Sequence, residues 1–385
     1  MSYADIIKKK TKDWDCKNLM NSVYSVDKNR IPFSSPLMNW FTYGGITRNR
    51  LVEIYGDYGS GKTTTCLDVC KNAYKLFEEE YEAKIQELQQ AYSNGDKSAS
   101  DELDELTELG SKKVLYIDLE HTFDIQWAKT LGVDLSHMDV MQPPNVTGED
   151  LLQTVRDIIE TGEVGLLILD SIPSLTPKTV LEKKVGERTV AALAGLMTNF
   201  DTLVIPLLAR YNCTLIVVNQ IRDNLDNPYV VNTPGGKANK FYASLRLQLR
   251  KGKYVDALGN ELPNNVENPA GCKIEAILTK LKTAPNDRRM GSYFLMFHSG
   301  IRPDFDYASL AITKYGLIKK TAGWYGFIDP ETGEALCNSD SDKPLKVNGL
   351  GKVYDFLNSN AEYFEKLKKY ILNDIEGNGN GEETD

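Results

Sequence analysis

The chain has 385 residues, of which 41% are hydrophobic, and a formal net charge of −9, enough for one large α/β domain with a smaller unit beside it. No run reads as long and apolar enough to span a bilayer, and Met1–Lys10 has no apolar signal-peptide stretch, so a cytoplasmic protein is expected. The scattered Cys16, Cys66, Cys70, Cys213, Cys272 and Cys337, with only three histidines, exclude a disulfide scaffold and a zinc site.

Residues 1–30 read as an arm: a short polar helix with apolar Ile6, Ile7, Trp14, Leu19 and Met20, then a turn. Packing on its own domain or on a neighbour both remain open. Next, Leu51-Val-Glu-Ile-Tyr55 runs into Gly56-Asp57-Tyr58-Gly59-Ser60-Gly61-Lys62-Thr63, and Thr64-Thr65-Cys66-Leu67 leaves it in helix-compatible form. Strand, glycine loop and helix in that order are what a phosphate-binding P-loop needs. Its glycines let backbone N–H groups converge on phosphates above a helix N-terminus. Gly56 through Thr63, with Thr64 behind them, form the candidate nucleotide-binding set. Lys62 reaches the outer phosphates and Thr63 offers its hydroxyl to Mg²⁺. The alternative is a glycine-rich turn with no ligand.

From Leu76 to Tyr92 apolar residues recur at helical spacing, Asn94-Gly95 breaks the pattern, and Leu103, Leu106 and Leu109 resume it. This predicts a helical hairpin, residues 75–111, inserted between the P-loop helix and the next strand. It holds 11 acidic against 3 basic residues, and 374–385 hold 5 acidic and none basic, leaving the rest of the chain at net +4. The acidity is thus concentrated in segments that need not touch a polyanion.

Further strands are predicted at Val114–Leu119, Leu166–Asp170, Cys213–Gln220, Leu245–Arg250, Cys272–Leu281 and Tyr293–Phe297. Helices are expected at Gly148–Glu160 and Val190–Arg210. The early alternation indicates βαβ units and a mainly parallel sheet, and the closely spaced later strands an antiparallel extension. A small C-terminal α/β domain, 303–375, follows the 31–302 core, and 376–385 read as a disordered acidic tail.

The strand ends narrow the chemistry. Leu166-Leu-Ile-Leu-Asp170 brings a carboxylate to the sheet edge beside Mg²⁺. Val114-Leu-Tyr-Ile-Asp118-Leu-Glu120 offers Glu120, either as a base for attacking water or as a helix-capping or salt-bridged glutamate. Thr214-Leu-Ile-Val-Val-Asn219-Gln220 ends in two amides, and a neutral amide there can report whether a γ-phosphate is present.

With this loop, Glu120, Asp170 and Gln220 in order, the chain resembles the bacterial RecA recombinase family, including its phage-encoded members. The match is dense over residues 50–301 outside the acidic hairpin. It is carried by Tyr116-Ile-Asp-Leu-Glu-His, Leu131-Gly-Val-Asp134, Leu169-Asp-Ser-Ile-Pro-Ser-Leu-Thr-Pro177, Val218-Asn-Gln-Ile-Arg222 and Gly235-Gly-Lys-Ala-Asn-Lys-Phe-Tyr-Ala-Ser-Leu-Arg246, and Ala322-Gly-Trp-Tyr325 extends it into the C-terminal domain. The resemblance implies a RecA-like core and an ATP- and Mg²⁺-dependent helical filament on single-stranded DNA that pairs it with a homologous duplex and exchanges strands. It further implies that Glu120 activates water, that Gln220 links the γ-phosphate to a DNA-binding loop, and that Asp124 and Trp127 face adenine, with tryptophan where a tyrosine is expected. Glu182, Lys183, Lys184, Val185, Gly186, Glu187 and Arg188 match a first DNA-binding loop. Residues 221–235, with Arg222, Asn224, Gly235 and Gly236, match a second that is shorter and more acidic than the pattern. Lys240 and Phe241 match a subunit interface, and Lys280 and Lys282 a pair reaching the neighbouring subunit's ATP. Strand alternation also puts these two lysines on one sheet face. The acidic hairpin departs from the family and is expected on the filament exterior, as a solvated appendage or a dock for loading or replication proteins. A ring helicase or translocase on the same core, and a small-molecule kinase, are the competing readings. The late-strand lysines where an arginine finger is expected count against the first, and the lack of an arginine-rich lid against the second.

Overall fold

The computed structural model describes residues 30–144, 146–182, 191–222, 232–285, 287–338 and 341–377. Two short strands, β1 (Arg30–Ile31) and β2 (Ile46–Thr47), pair with each other. The central sheet is built from β3 (Leu51–Gly56), β4 (Lys113–Asp118), β5 (Met138–Met141), β6 (Val164–Asp170), β7 (Thr214–Gln220), β8 (Leu245–Val255), β9 (Glu261–Leu262), β10 (Gly271–Leu281), β11 (Met290–Met296) and β12 (Gly300–Ile301). Its order is β12-β11-β10-β8-β3-β7-β6-β4-β5, with β9 on β8. From β8 to β5 neighbours run parallel, and the antiparallel extension begins at β10. β3 and β6 are buried along their whole length because helices cover both faces, which is why they read as unbroken apolar runs rather than alternating ones.

The two faces carry separate cores. Val52, Ile54, Leu166, Ile168 and Ile216 join Cys66, Val69, Cys70 and Phe77 of the P-loop helix. On the opposite face Leu51, Leu167, Leu169, Leu215 and Val217 pack against the helices Gly148–Glu160 and Ala192–Arg210. A third core gathers Phe305, Leu310, Tyr325, Phe327, Val353, Leu357, Leu367 and Ile371. They come from the helices Pro303–Thr313, Leu350–Ser359 and Ala361–Gly377 and from the sheet of β13 (Ile318–Thr321), β14 (Trp324–Phe327) and β17 (Lys346–Asn348), beside which β15 (Cys337–Asn338) and β16 (Ser341–Pro344) form a hairpin.

Two expectations are corrected. The P-loop helix does not end before the acidic segment: it runs unbroken from Lys62 to Ser93 for 32 residues, because no glycine or proline intervenes before Asn94-Gly95. The return helix is Ser98–Leu109, and Leu88 and Ala99 are the buried residues of the distal pair. Second, Ala192–Arg210 is long and apolar enough to cross a membrane by length and composition, with 19 residues and a mean hydropathy of 1.5. Thr198, Asn199, Asp201 and Thr202 interrupt the run, so it does not read as one apolar stretch. Here its Met197, Phe200, Val204 and Leu208 face packs on the sheet.

Phe77 ties the long helix to the sheet. Its ring lies so close over Gly165 that a Cβ there would sit 2.7 Å from it, and the Arg48 guanidinium is 5.2 Å from its centroid. Phe77→Ala is expected to lower unfolding stability by about 3–4 kcal/mol in urea denaturation through the cavity it leaves. A loss under about 1 kcal/mol would show that the helix is not anchored there.

Candidate active site

Parallel register aligns the carboxyl ends of four adjacent strands: Gly56 lies opposite Gln220 and Asp118 opposite Asp170. Side chains leaving these ends share one crevice. Gly59 and Gly61 hold left-handed φ values of 67° and 82°, so the loop curls as only glycine does freely. A Cβ on Gly61 would press on Tyr293 Oη at 3.0 Å, while one on Gly59 would meet nothing within 4 Å, leaving the loop open above. Tyr58 is exposed, Ser60 is buried, and the Asp57 carboxylate accepts from Tyr58 N.

Lys62 Nζ donates to Gly56 O at 3.2 Å and Asp57 O at 2.8 Å. Burial pulls its pKa down, and Asp170, Glu120 and Asp57 pull it partly back. Thr63 Oγ1 donates to Asp170 Oδ2 at 3.2 Å, and Tyr116 Oη donates to the same oxygen at 2.5 Å. Burial raises the Asp170 pKa, while those two hydrogen bonds lower it. No group of three or more His, Cys, Asp or Glu side chains suited to a metal occurs among the described residues. A hydroxyl and one carboxylate beside a phosphate loop nevertheless fit Mg²⁺, which keeps waters and phosphates as its other ligands.

Glu120 is not a helix cap. Its Oε1 accepts from Ser171 Oγ at 2.6 Å and from Gln220 Nε2 at 3.1 Å, which joins the ends of β4, β6 and β7. The loop carrying it is held by Asp118, whose Oδ1 accepts from Glu120 N at 3.1 Å and whose Oδ2 accepts from Phe123 N and Gln142 Nε2 at 2.9 and 2.8 Å. Sequence reading passed over Asp118 and Ser171 as site residues. The signal was available for Asp118, which ends its apolar strand as Asp170 does.

Asp124 caps the helix Ile125–Thr130, accepting from Gln126 N and Trp127 N at 2.8 and 3.0 Å. Trp127 Nε1 donates to Thr64 Oγ1 at 3.1 Å, so its half-buried ring flanks the start of the P-loop helix. Of the first proposed DNA loop only Glu182, C-cap of the turn Lys178–Leu181, is described; Lys183, Lys184, Val185, Gly186, Glu187 and Arg188 lie outside the described residues. In the second, Arg222 N donates to Asn232 O at 2.9 Å, and Gly235 and Gly236 have φ values of 86° and 78°; Asn224 lies outside. The expected arm, apart from Arg30, and residues 378–385 of the expected tail lie outside as well.

Lys280 and Lys282 are far from this crevice. Lys280 pairs with Arg246, which pairs with Glu53, three residues before Gly56, so at about 3.3 Å per residue it sits about 10 Å back along the strands. Both amines cap the C-terminus of the short helix Ala238–Tyr242, which carries Lys240 and the exposed Phe241. Lys280 Nζ donates to Lys240 O and Phe241 O, each at 2.7 Å, and Lys282 Nζ to Phe241 O at 2.9 Å. Burial and the Lys282 charge lower the Lys280 pKa to about 8.

The RecA N-terminal domain model matches residues 82–302. The RecA protein of Campylobacter jejuni subsp. doylei is 31% identical over 347 residues, covering 89% of this chain and 84% of that protein. The chain belongs to the RecA family. RecA of Thermus aquaticus is 28% identical over 331 residues, 86% of this chain and 80% of its own length, and RecA of Geobacter sulfurreducens 30% over 320, 81% of this chain and 80% of its own. Family membership makes the protein a RecA recombinase rather than a ring helicase. The matched RecA domain includes Glu120, Asp170, Gln220 and Lys280. The loop at 56–63 precedes it but falls within the Campylobacter match, which leaves only about a tenth of this chain outside.

Proposed function

We propose that the chain binds ATP with Mg²⁺ in the crevice above Gly56–Thr63, assembles as a helical filament on single-stranded DNA, and couples hydrolysis to pairing and exchange with a homologous duplex. The observation that carries this reading is the junction at Glu120, where the candidate base and the candidate phosphate sensor, Gln220, share a hydrogen bond.

In this mechanism the P-loop amides and Lys62 cradle the phosphates, with Trp127 beside the base. Thr63 and Asp170 would hold Mg²⁺, which neutralises charge developing on the phosphate oxygens. Glu120, oriented by Ser171 and by the Asp118 clamp on its loop, takes a proton from the attacking water. Gln220 exchanges its bond to Glu120 for one to the γ-phosphate and passes that difference to the segment that follows it. Segments 182–188 and 221–235 contact DNA, residues 303–375 form a C-terminal domain that gates the duplex, and the acidic hairpin faces outward, away from phosphate.

Lys280 and Lys282, lying away from their own P-loop, serve the ATP of the next protomer. Lys62→Ala chains and Lys280→Ala/Lys282→Ala chains should each lack DNA-stimulated ATPase. Mixed in equal parts, they should recover about a quarter of it, the chance that head-to-tail neighbours combine an intact loop with intact lysines. No recovery in the mixture would return the lysines to a structural role. Electron microscopy with single-stranded DNA and a slowly hydrolysed ATP analogue tests the whole reading: helical filaments are expected, and dispersed monomers would overturn it.

A further inference from the structure

Behind the crevice lies a buried polar group that the mechanism above leaves unused. Glu53, with no exposed surface, sits in the middle of β3, where a charge is costly unless paired. Arg246 Nε donates to its Oε2 at 2.5 Å, and the guanidinium is 4.6 Å from the Tyr55 ring centroid. Asn219, also fully buried, donates from Nδ2 to Glu53 Oε1 at 2.9 Å and to Pro234 O at 3.0 Å, while its Oδ1 accepts from Gln220 N at 3.0 Å. Both amide hydrogens are committed, one to a fixed anchor in the sheet and one to the chain fifteen residues on.

The chain leaving Pro234 runs to the helix Ala238–Tyr242, whose C-terminus Lys280 and Lys282 hold. Midway, Asn239 faces the buried Asp201 carboxylate, and with its amide turned to donate reaches the two oxygens at 2.7 and 3.2 Å. Asn219 is therefore the first of three fastenings between the phosphate-facing edge and the lysine edge.

We propose that Asn219 is a positioning residue that locks Pro234, and the segment behind it, to the main chain of Gln220, with the buried Glu53–Arg246 pair as its fixed anchor. An amide is suited to this task because it holds two acceptors and one donor at once. Alanine holds none, and a serine hydroxyl has only one hydrogen to give. The inference rests on the reading of Gln220 as phosphate sensor.

The experiment uses the full chain and a fluorescent oligothymidylate, with affinity measured by anisotropy in a slowly hydrolysed ATP analogue and in ADP. The native chain should bind DNA at least about 10-fold more tightly with the triphosphate. Asn219→Ala, and the milder Asn219→Ser if the first folds poorly, should reduce that ratio to within about twofold of unity while binding a fluorescent ATP analogue normally. Ile159→Ala, which empties a buried site in the helix Gly148–Glu160 without touching this group or the P-loop helix, should keep the native ratio, separating positioning from general loss of stability. A native ratio in both Asn219 variants would overturn the proposal. A native chain with no ratio at all would overturn the reading of Gln220 beneath it, and the proposal too.

Discussion

Lys62→Ala should abolish ATP-dependent strand exchange between a circular single strand and its linear duplex. The amine is the cation that the loop itself carries: it lies on Gly56 O and Asp57 O, inside the curl made by Gly59 and Gly61. Burial already disfavours its charge, and Asp170, Glu120 and Asp57 retain it. Polyphosphate would repeat that compensation more strongly. Removing one such charged donor from a preorganised anion site costs about 3–4 kcal/mol, or a 10²–10³-fold loss. Alanine favours the first helical turn, so the helix and the loop backbone should persist. Melting should be unchanged, and normal exchange by this variant would count decisively against the site.

Glu120→Gln should behave differently, retaining filaments while hydrolysis falls by about 10²–10⁴-fold, the usual contribution of a positioned general base. Glutamine keeps an oxygen in place of Oε1, so Ser171 Oγ and Gln220 Nε2 still have an acceptor and the three strand ends remain joined. What disappears is the capacity to take a proton. Filament length by electron microscopy and phosphate release from the same sample separate the two effects. Unchanged turnover would remove Glu120 from the role of base.

The sheet was legible because its strands are apolar runs ended by turn residues, and Leu51–Gly56 and Gly148–Glu160 were read to the residue. The strand ends were legible for a related reason: polar residues that close a run of four hydrophobes mark the crevice, Asp170 directly and Gln220 one place beyond Asn219. What sequence could not supply was side-chain partnership across strands. Nothing local distinguishes Ser171 as the donor to Glu120, or Glu53 as the anchor of an amide 166 positions away. The position of Lys280 likewise depends on strand order, since only the β8–β10 register sets it back from its own loop. The hairpin's turn and return helix were legible, but not that its first helix continues the P-loop helix, because helical periodicity shows where a helix exists and not whether two stretches are one.

That continuity has a mechanical consequence. At 1.5 Å per residue the 32-residue helix Lys62–Ser93 is about 48 Å long, and its first turn is the wall of the phosphate loop. Phe77 sits near its middle, so the helix is a lever of nearly equal arms, about 22 Å to the phosphate loop and about 24 Å to the tip. A tilt of about 5° would swing the Asn94-Gly95 tip by about 2 Å, so a spin label there would report, at nearly its own size and in the opposite sense, what happens at the phosphates. Any molecule gripping the tip would push back on them.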